Sequence, residues 1–260
     1  MDLGLAGRTA LVLGARRGLG RASAAALLAE GAIVHAASRN VAAIQAWRAT
    51  LPAAEAGRLH PGAVDLADLG SVDVLLDALG SAPDIVVLNG GGPPQSMAAE
   101  IDLALWAAQF RAMATHQFHV ANGLLPGMRA RGWGRILVIA SSGVEQPIPN
   151  LAISNSIRAA VSGWAKTLAD EVAADGVTVN LLLPGRIHTD RVDALDSAAA
   201  ERAKQTPAEV AAASQRSIPA GRYGTPDEFA SVLAFLASAR ASYVTGTQIR
   251  VDGGLIRSIG

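Results

Sequence analysis

Leu13-Gly14-Ala15-Arg16-Arg17-Gly18-Leu19-Gly20 places three glycines between a short apolar run and an alanine-rich stretch. Glycines so spaced allow a tight turn and let the backbone approach a pyrophosphate. The start of the following helix then offers free N–H groups at the positive end of its dipole. A tight strand–helix connection without a ligand explains the triplet alone; its position after a first strand favours a dinucleotide. The next apolar run ends in His35-Ala36-Ala37-Ser38-Arg39. A carboxylate there would take the ribose 2′-hydroxyl of NAD. This chain has a hydroxyl and a guanidinium instead, with Arg16 and Arg17 in the nearby turn. Such groups suit a 2′-phosphate, which arginine pairs bidentately, so the residues point to NADP rather than NAD. The plainer alternative is three solvated surface arginines.

The chain that must position these groups has 260 residues, half of them hydrophobic and 17% charged. That composition is too apolar for a disordered chain, and the length suits one large domain or two small ones. No apolar run reaches about 18 residues, so no membrane span is expected. Met1–Gly20 lacks the pattern of a signal peptide, which makes the cytoplasm the expected location. Twenty-two basic residues balance 22 acidic ones. No basic footprint for nucleic acid exists. The absence of cysteine excludes disulfides, thiolate metal sites and a cysteine nucleophile. No histidine pair has zinc-binding spacing, and no metal is expected. There are only two tyrosines, Tyr223 and Tyr243.

Short β-type runs alternate with longer helical stretches throughout. Strands are expected at Thr9–Leu13, Ala32–Ala37, Leu59–Val64, Asp84–Leu88, Arg135–Ala140, Val177–Leu183 and Gln248–Val251. Helices are expected at Gly20–Glu30, Val41–Thr50, Ser71–Leu79, Leu151–Ala174 and Pro226–Ser238. Asp102–Arg131 reads as one long helix, kinked near Pro126. This alternation predicts a single α/β domain over 1–260, a doubly wound parallel seven-stranded sheet of Rossmann type. Thr189–Ser217 carries no strand signal and reads as an insertion at the carboxyl edge of the sheet, a candidate lid over a small-molecule substrate.

With these parts named, the chain closely resembles the single-domain short-chain dehydrogenase/reductase family over nearly its whole length. Gly14, Gly18 and Gly20 match the family's glycine turn, although Leu13 stands where threonine is usual. The resemblance implies that Asp65-Leu66 hold the adenine and that Asn89-Gly90-Gly91 follow the fourth strand. It also implies that Pro184-Gly185, Ile187 and Thr189 hold the nicotinamide side. Gly221-Arg222, Pro226-Asp227-Glu228, Val244-Thr245-Gly246 and Val251-Asp252-Gly253-Gly254 look like the family's tail, which packs at a tetramer interface.

The family's chemistry uses a serine, a tyrosine, a lysine and an asparagine. Ser141 fits the serine, but Ser154 occupies the tyrosine position, Arg158 the lysine position and Met113 the asparagine position. Ser154 and Arg158 lie one helical turn apart and share a face. A serine hydroxyl is shorter and far less acidic than a phenol of pKa about 10. Arginine binds a ribose or an anion but does not shuttle protons at ordinary pKa. His188, Glu145 and Tyr223 are alternative acids; each also has an ordinary surface role. Tyr243 falls near the implied subunit interface, and His116 and His119 read as packing or surface residues.

The resemblance implies an NADP(H)-dependent oxidoreductase acting on a carbonyl or alcohol, with Ser141, Ser154 and Arg158 at an atypical active site. Two alternatives keep the fold: a non-redox lyase or isomerase, and a catalytically inactive dinucleotide sensor. The retained cofactor motifs favour the oxidoreductase and the sensor.

Overall fold

The computed structural model describes residues 2–259. The first half of the chain is β1 (Thr9–Leu13), α1 (Gly18–Ala29), β2 (Ile33–Ser38), α2 (Val41–Ala49), α3 (Ala53–Ala56), β3 (Leu59–Ala63), α4 (Leu69–Ala78) and β4 (Ile85–Leu88). Then follow α5 (Leu103–Phe110), α6 (His116–Ala130), β5 (Gly134–Ile139), α7 (Ala152–Val172) and β6 (Val177–Pro184). The chain ends with α8 (Asp190–Ala203), α9 (Pro207–Ser217), α10 (Pro226–Ala237) and β7 (Gln248–Val251).

All seven strands run parallel in the order β3-β2-β1-β4-β5-β6-β7. Parallel sheets need cover on both faces. Successive side chains of β1 supply it alternately: Leu11 and Leu13 pack on one side, Ala10 and Val12 on the other. The first layer takes Val72 and Leu75 of α4, Leu124 of α6 and Ile157 of α7. The second takes Leu27 of α1, Ile44 and Trp47 of α2, and Phe229 and Leu233 of α10. The expected doubly wound sheet is therefore the observed one. No described helix is long and apolar enough to cross a membrane.

Local chemistry sets the helix starts. Asn40, Asp68 and Asp102 accept from the first-turn N–H groups of α2, α4 and α5. Thr225 and Glu228 form a reciprocal capping box at α10, with Pro226 in the first turn. Thr206 and Glu209 repeat it at α9.

One feature departs from the sequence reading and a second goes beyond it. The stretch expected as one helix over Asp102–Arg131 is interrupted by a π-helical turn at Arg111–Thr115, while Pro126 sits inside α6. The break thus falls at Met113 rather than at the proline; π turns of this kind recur at functional sites. Second, Arg135 in β5 is buried. Its guanidinium donates to the carbonyls of Ser238 and Gly134, and stacks 4.2 Å from the Trp133 ring. The candidate lid resolves into α8 and α9. Arg186 and Tyr223 tie it to the body through Asp196, at 3.2 Å and 2.8 Å.

Candidate active site

Strand order reverses between β1 and β4, and folds of this class bind ligands at the carboxyl ends of strands where that happens. The glycine turn leaves β1 there, and Asn89 leaves β4. Gly14 and Gly18 hold φ of 65° and 54°, in the left-handed region. A Cβ on Gly20 would stand 2.4 Å from the Gly14 carbonyl oxygen and 2.7 Å from Asn89 Nδ2. Gly20 therefore serves close packing of helix on turn. Asn89 Nδ2 also donates to the Leu13 carbonyl at 3.1 Å and knits the two strand ends together. By contrast a Cβ on Gly18 would meet only Thr189, at 3.6 Å, and Gly91 has open space beside it. The start of α1 carries no side-chain cap and no acidic residue in its first turn. An open, positively polarised cradle of this kind fits a pyrophosphate.

Asp65 and Leu66, the residues expected at the adenine, follow β3. Asp65 Oδ1 accepts from Ala67 N at 3.0 Å. The Leu66 carbonyl is held at 2.7 Å by Nδ1 of buried His116, which fixes the tautomer with the proton on that nitrogen. His116 thus holds the backbone at Leu66 in place, a role its sequence context did not signal. His119 pairs at the surface with Asp73, at 2.7 Å. At the end of β2, buried Ser38 donates to the Asn40 carbonyl at 3.2 Å, and Arg39 stands exposed. Arg17 donates to Asp190 at 2.9 Å, with both side chains mostly exposed. Exposed pairs of this kind contribute at most about 1 kcal/mol, so Arg17 remains free to turn to a phosphate.

After β6, where the nicotinamide side is expected, a Cβ on Gly185 would come within 2.6 Å of Asp252 Cβ, so glycine lets β6 leave the sheet beside β7. Ile187 is buried and bridges to Gly224. Thr189 Oγ1 donates to the Ile187 carbonyl at 3.3 Å, while its methyl faces Gly18.

At the reacting end, Ser141 accepts from Gly143 N at 3.1 Å. Arg158 Nε donates to Ser154 Oγ at 3.3 Å, and Nη1 donates to the Ile139 carbonyl at 2.7 Å. The second bond anchors α7 to the end of β5, two residues before Ser141. A cavity of about 10 Å³ lies here, lined by Gly90, Gly91, Met113, Gln117, Ile139 and Arg158. That is room for about one water. Arg158 is partly buried; desolvation, and secondarily the charge of Arg191, pull its pKa down to about 10. Arg191 lies against the loop after β4, with Nη2 donating to the Pro93 carbonyl at 3.0 Å. Its pKa is also lowered by desolvation.

The alternative acids are engaged elsewhere. His188 is exposed and faces Asp193 at 3.4 Å. Glu145 lies 3.3 Å from Arg250. Tyr223 donates to Asp196, and burial is the main cause pushing its phenol up. Tyr243 is fully exposed. Among the described residues none of these four lines the cavity that holds Arg158. Sequence reasoning missed Gln117 and Arg191. The signal for Gln117 is its place one helical turn after Met113, and for Arg191 its place two residues after Thr189.

Comparison with known proteins agrees with this geometry. Residues 14–256 match the family model described as enoyl-(acyl carrier protein) reductase. Nodulation protein G of Azospirillum brasilense is 34% identical over 253 residues, covering 95% of this chain and 98% of that protein. The 3-oxoacyl-(acyl-carrier-protein) reductase of Escherichia coli is 33% identical over 251 residues, covering 96% and 97%. Among solved structures, L-sorbose reductase of Gluconobacter frateurii, complexed with NADPH and L-sorbose, superposes with a TM-score of 0.93 at 31% identity over the full length of both chains. YwfH, an NADPH-dependent reductase, superposes at 0.91 with 27% identity, covering 98% of this chain and 100% of that one. The chain belongs to the short-chain dehydrogenase/reductase family of oxidoreductases.

Proposed function

We propose that this chain transfers hydride between NADP(H) and a carbonyl or alcohol, with Ser141, Ser154 and Arg158 handling the substrate oxygen. The observation that carries the reading is the Ser154–Arg158–Ile139 chain of hydrogen bonds beside a dinucleotide cradle. Gly14, Gly18, Leu19, Gly20, Asn89, Gly90 and Gly91 form that cradle. Asp65 and Leu66 flank the adenine, and Pro184, Gly185, Ile187 and Thr189 the nicotinamide. Ser38, Arg39, Arg16 and Arg17 hold the 2′-phosphate, and the NADPH-bound relatives support that cofactor.

Bound NADPH supplies the hydride, a chemistry that asks the protein mainly for positioning. Negative charge then grows on the substrate oxygen. Ser154 Oγ–H and the free N–H groups of Arg158 meet it in a desolvated site, where fixed donors act strongly. Ser154 Oγ–H donates a hydrogen bond to the oxygen, and the proton that neutralises it is drawn from bulk solvent by way of a water in the small cavity beside Arg158. Met113, at the family's asparagine position, offers that water no polar group; Gln117, one turn along, does. The α8–α9 segment closes over the substrate. The same reading includes a homotetramer built across the C-terminal section, where Phe235 and Tyr243 stand exposed.

An NADPH titration followed by a carbonyl panel in the same cuvette tests this. Binding with cofactor oxidation is expected. Binding without oxidation on any carbonyl points to the sensor, and absence of binding removes the reading altogether.

A further inference from the structure

Arg158 and Arg191 both lie against the short loop that follows β4. Arg158 lines the small cavity together with Gly90 and Gly91. The Arg191 guanidinium lies 2.9–3.1 Å from the position a Cβ on Gly92 would take, and donates to the next carbonyl, Pro93. Two like charges so placed repel, and Arg191 is one cause of the lowered Arg158 pKa. Partly desolvated charge is expensive without a counter-ion.

The carboxylates around the pocket do not provide one. Asp190 pairs with Arg17, Asp193 with His188, Asp196 with Arg186 and Glu145 with Arg250. Arg158 and Arg191 are left without an ionic partner among the described residues. Their donors are also incompletely used. A guanidinium has five N–H groups. Arg158 spends two on Ser154 and Ile139, and Arg191 one on Pro93. The lysine that the family carries at position 158 is a single compact charge. Arginine offers instead a planar fork matched to carboxylate and phosphate oxygens.

Resting on the reductase reading above, we infer that the substrate is an anion, a carbonyl compound bearing a carboxylate held between Arg158 and Arg191. The carboxylate is the missing counter-ion, and its contact with Arg158 brings a neighbouring carbonyl beside Ser154. Arg191 comes from the first turn of α8, so the anion also draws the lid element onto the β4 loop.

The test compares 2-oxo- and 3-oxocarboxylates with their methyl esters in wild type and Arg191→Gln, with NADPH affinity measured in parallel. Charge-assisted contacts predict a carboxylate-over-ester ratio in kcat/KM of about tenfold to a hundredfold in wild type. That ratio falls towards one in Arg191→Gln. Esters turned over as well as carboxylates by the wild type overturn the inference. So does a loss of NADPH affinity in Arg191→Gln, which assigns Arg191 to the cofactor's phosphates. If no carbonyl is turned over, the reductase reading fails. Calorimetric binding of the same carboxylates to the NADPH-loaded protein then decides the anion site. Binding that weakens at least tenfold in Arg191→Gln supports it, and no binding overturns it.

Discussion

Arg158 Nε donates to Ser154 Oγ across 3.3 Å, one helical turn away on α7. On the proposed reading these two stand at the family's tyrosine and lysine positions, so each constrains what the other can do. Ser154→Tyr alone leaves the guanidinium in place and removes the hydroxyl that accepts from it at 3.3 Å. The combined variant Ser154→Tyr, Arg158→Lys, Met113→Asn restores acid, charge and water carrier together. It is expected to raise kcat/KM on a simple neutral ketone at least about tenfold, the lower part of the range for general acid catalysis. A wild type that already outpaces the triple variant on that ketone contradicts this reading of the pocket.

The proposed function puts cofactor choice at the end of β2. Arg39 stands exposed beside buried Ser38, in place of the carboxylate that NAD would need. Arg39→Ala is expected to weaken NADPH binding about tenfold or more and to leave NADH affinity within a factor of about two. Fluorescence titration of both cofactors measures it. Equal losses for the two would remove Arg39 from the 2′-phosphate.

Gly20 tests the turn itself. An added methyl would stand 2.4 Å from the Gly14 carbonyl oxygen, which is backbone and cannot swing aside. Gly20→Ala is expected to lower Tm by several degrees and to abolish dinucleotide binding, because turn and helix must separate. Gly91→Ala, with open space beside the glycine, is expected to keep the Tm. Thermal melts with and without NADPH separate the two effects.

The pH dependence follows from Arg158. Its pKa is pulled down to about 10, below the ordinary guanidinium value, because desolvation penalises the charged form. The side chain is charged through neutral pH, so stabilisation of negative charge on the oxygen is complete there and declines as pH rises through about 10. Stability moves the other way. The native state bears the full cost of the buried charge below that pH and gains as pH climbs above about 10, where it releases its proton before the unfolded chain does. Carbonyl reduction measured from pH 7 to 11 should be flat and then fall. A profile still flat at pH 11 places no essential charge at Arg158.

Much of the fold is legible because its signals are local. Thr9–Leu13 ends in a glycine turn, and the β7 strand Gln248–Val251 is set between Gly246 and Gly253. The turn is likewise read from its position, whereas Asp65-Leu66, Asn89 and Thr189 come from the family resemblance; Asn89 and Thr189 lie beside the turn. The π turn at Arg111–Thr115 is not, since Met113 and Ala114 fit a regular helix as well as a widened one. Arg135 breaks no periodicity that a window would detect; its burial depends on carbonyls of Gly134, Gly176 and Ser238, brought together only by the fold. The same holds for Arg191 above Gly92. Its neighbour is about a hundred residues away in sequence, and the helical segment that carries it has no pattern of its own.

The most direct measurement of the central claim follows the hydride. Wild-type protein is incubated with NADPH deuterated at C4 and an oxocarboxylate, and the product is examined by mass spectrometry. Hydride transfer with Ser154 and Arg158 at the oxygen predicts one deuterium on the new carbinol carbon, with the rate lowered in Ser154→Ala and in Arg158→Met. Recovery of the cofactor with its label intact and the carbonyl unchanged contradicts the account.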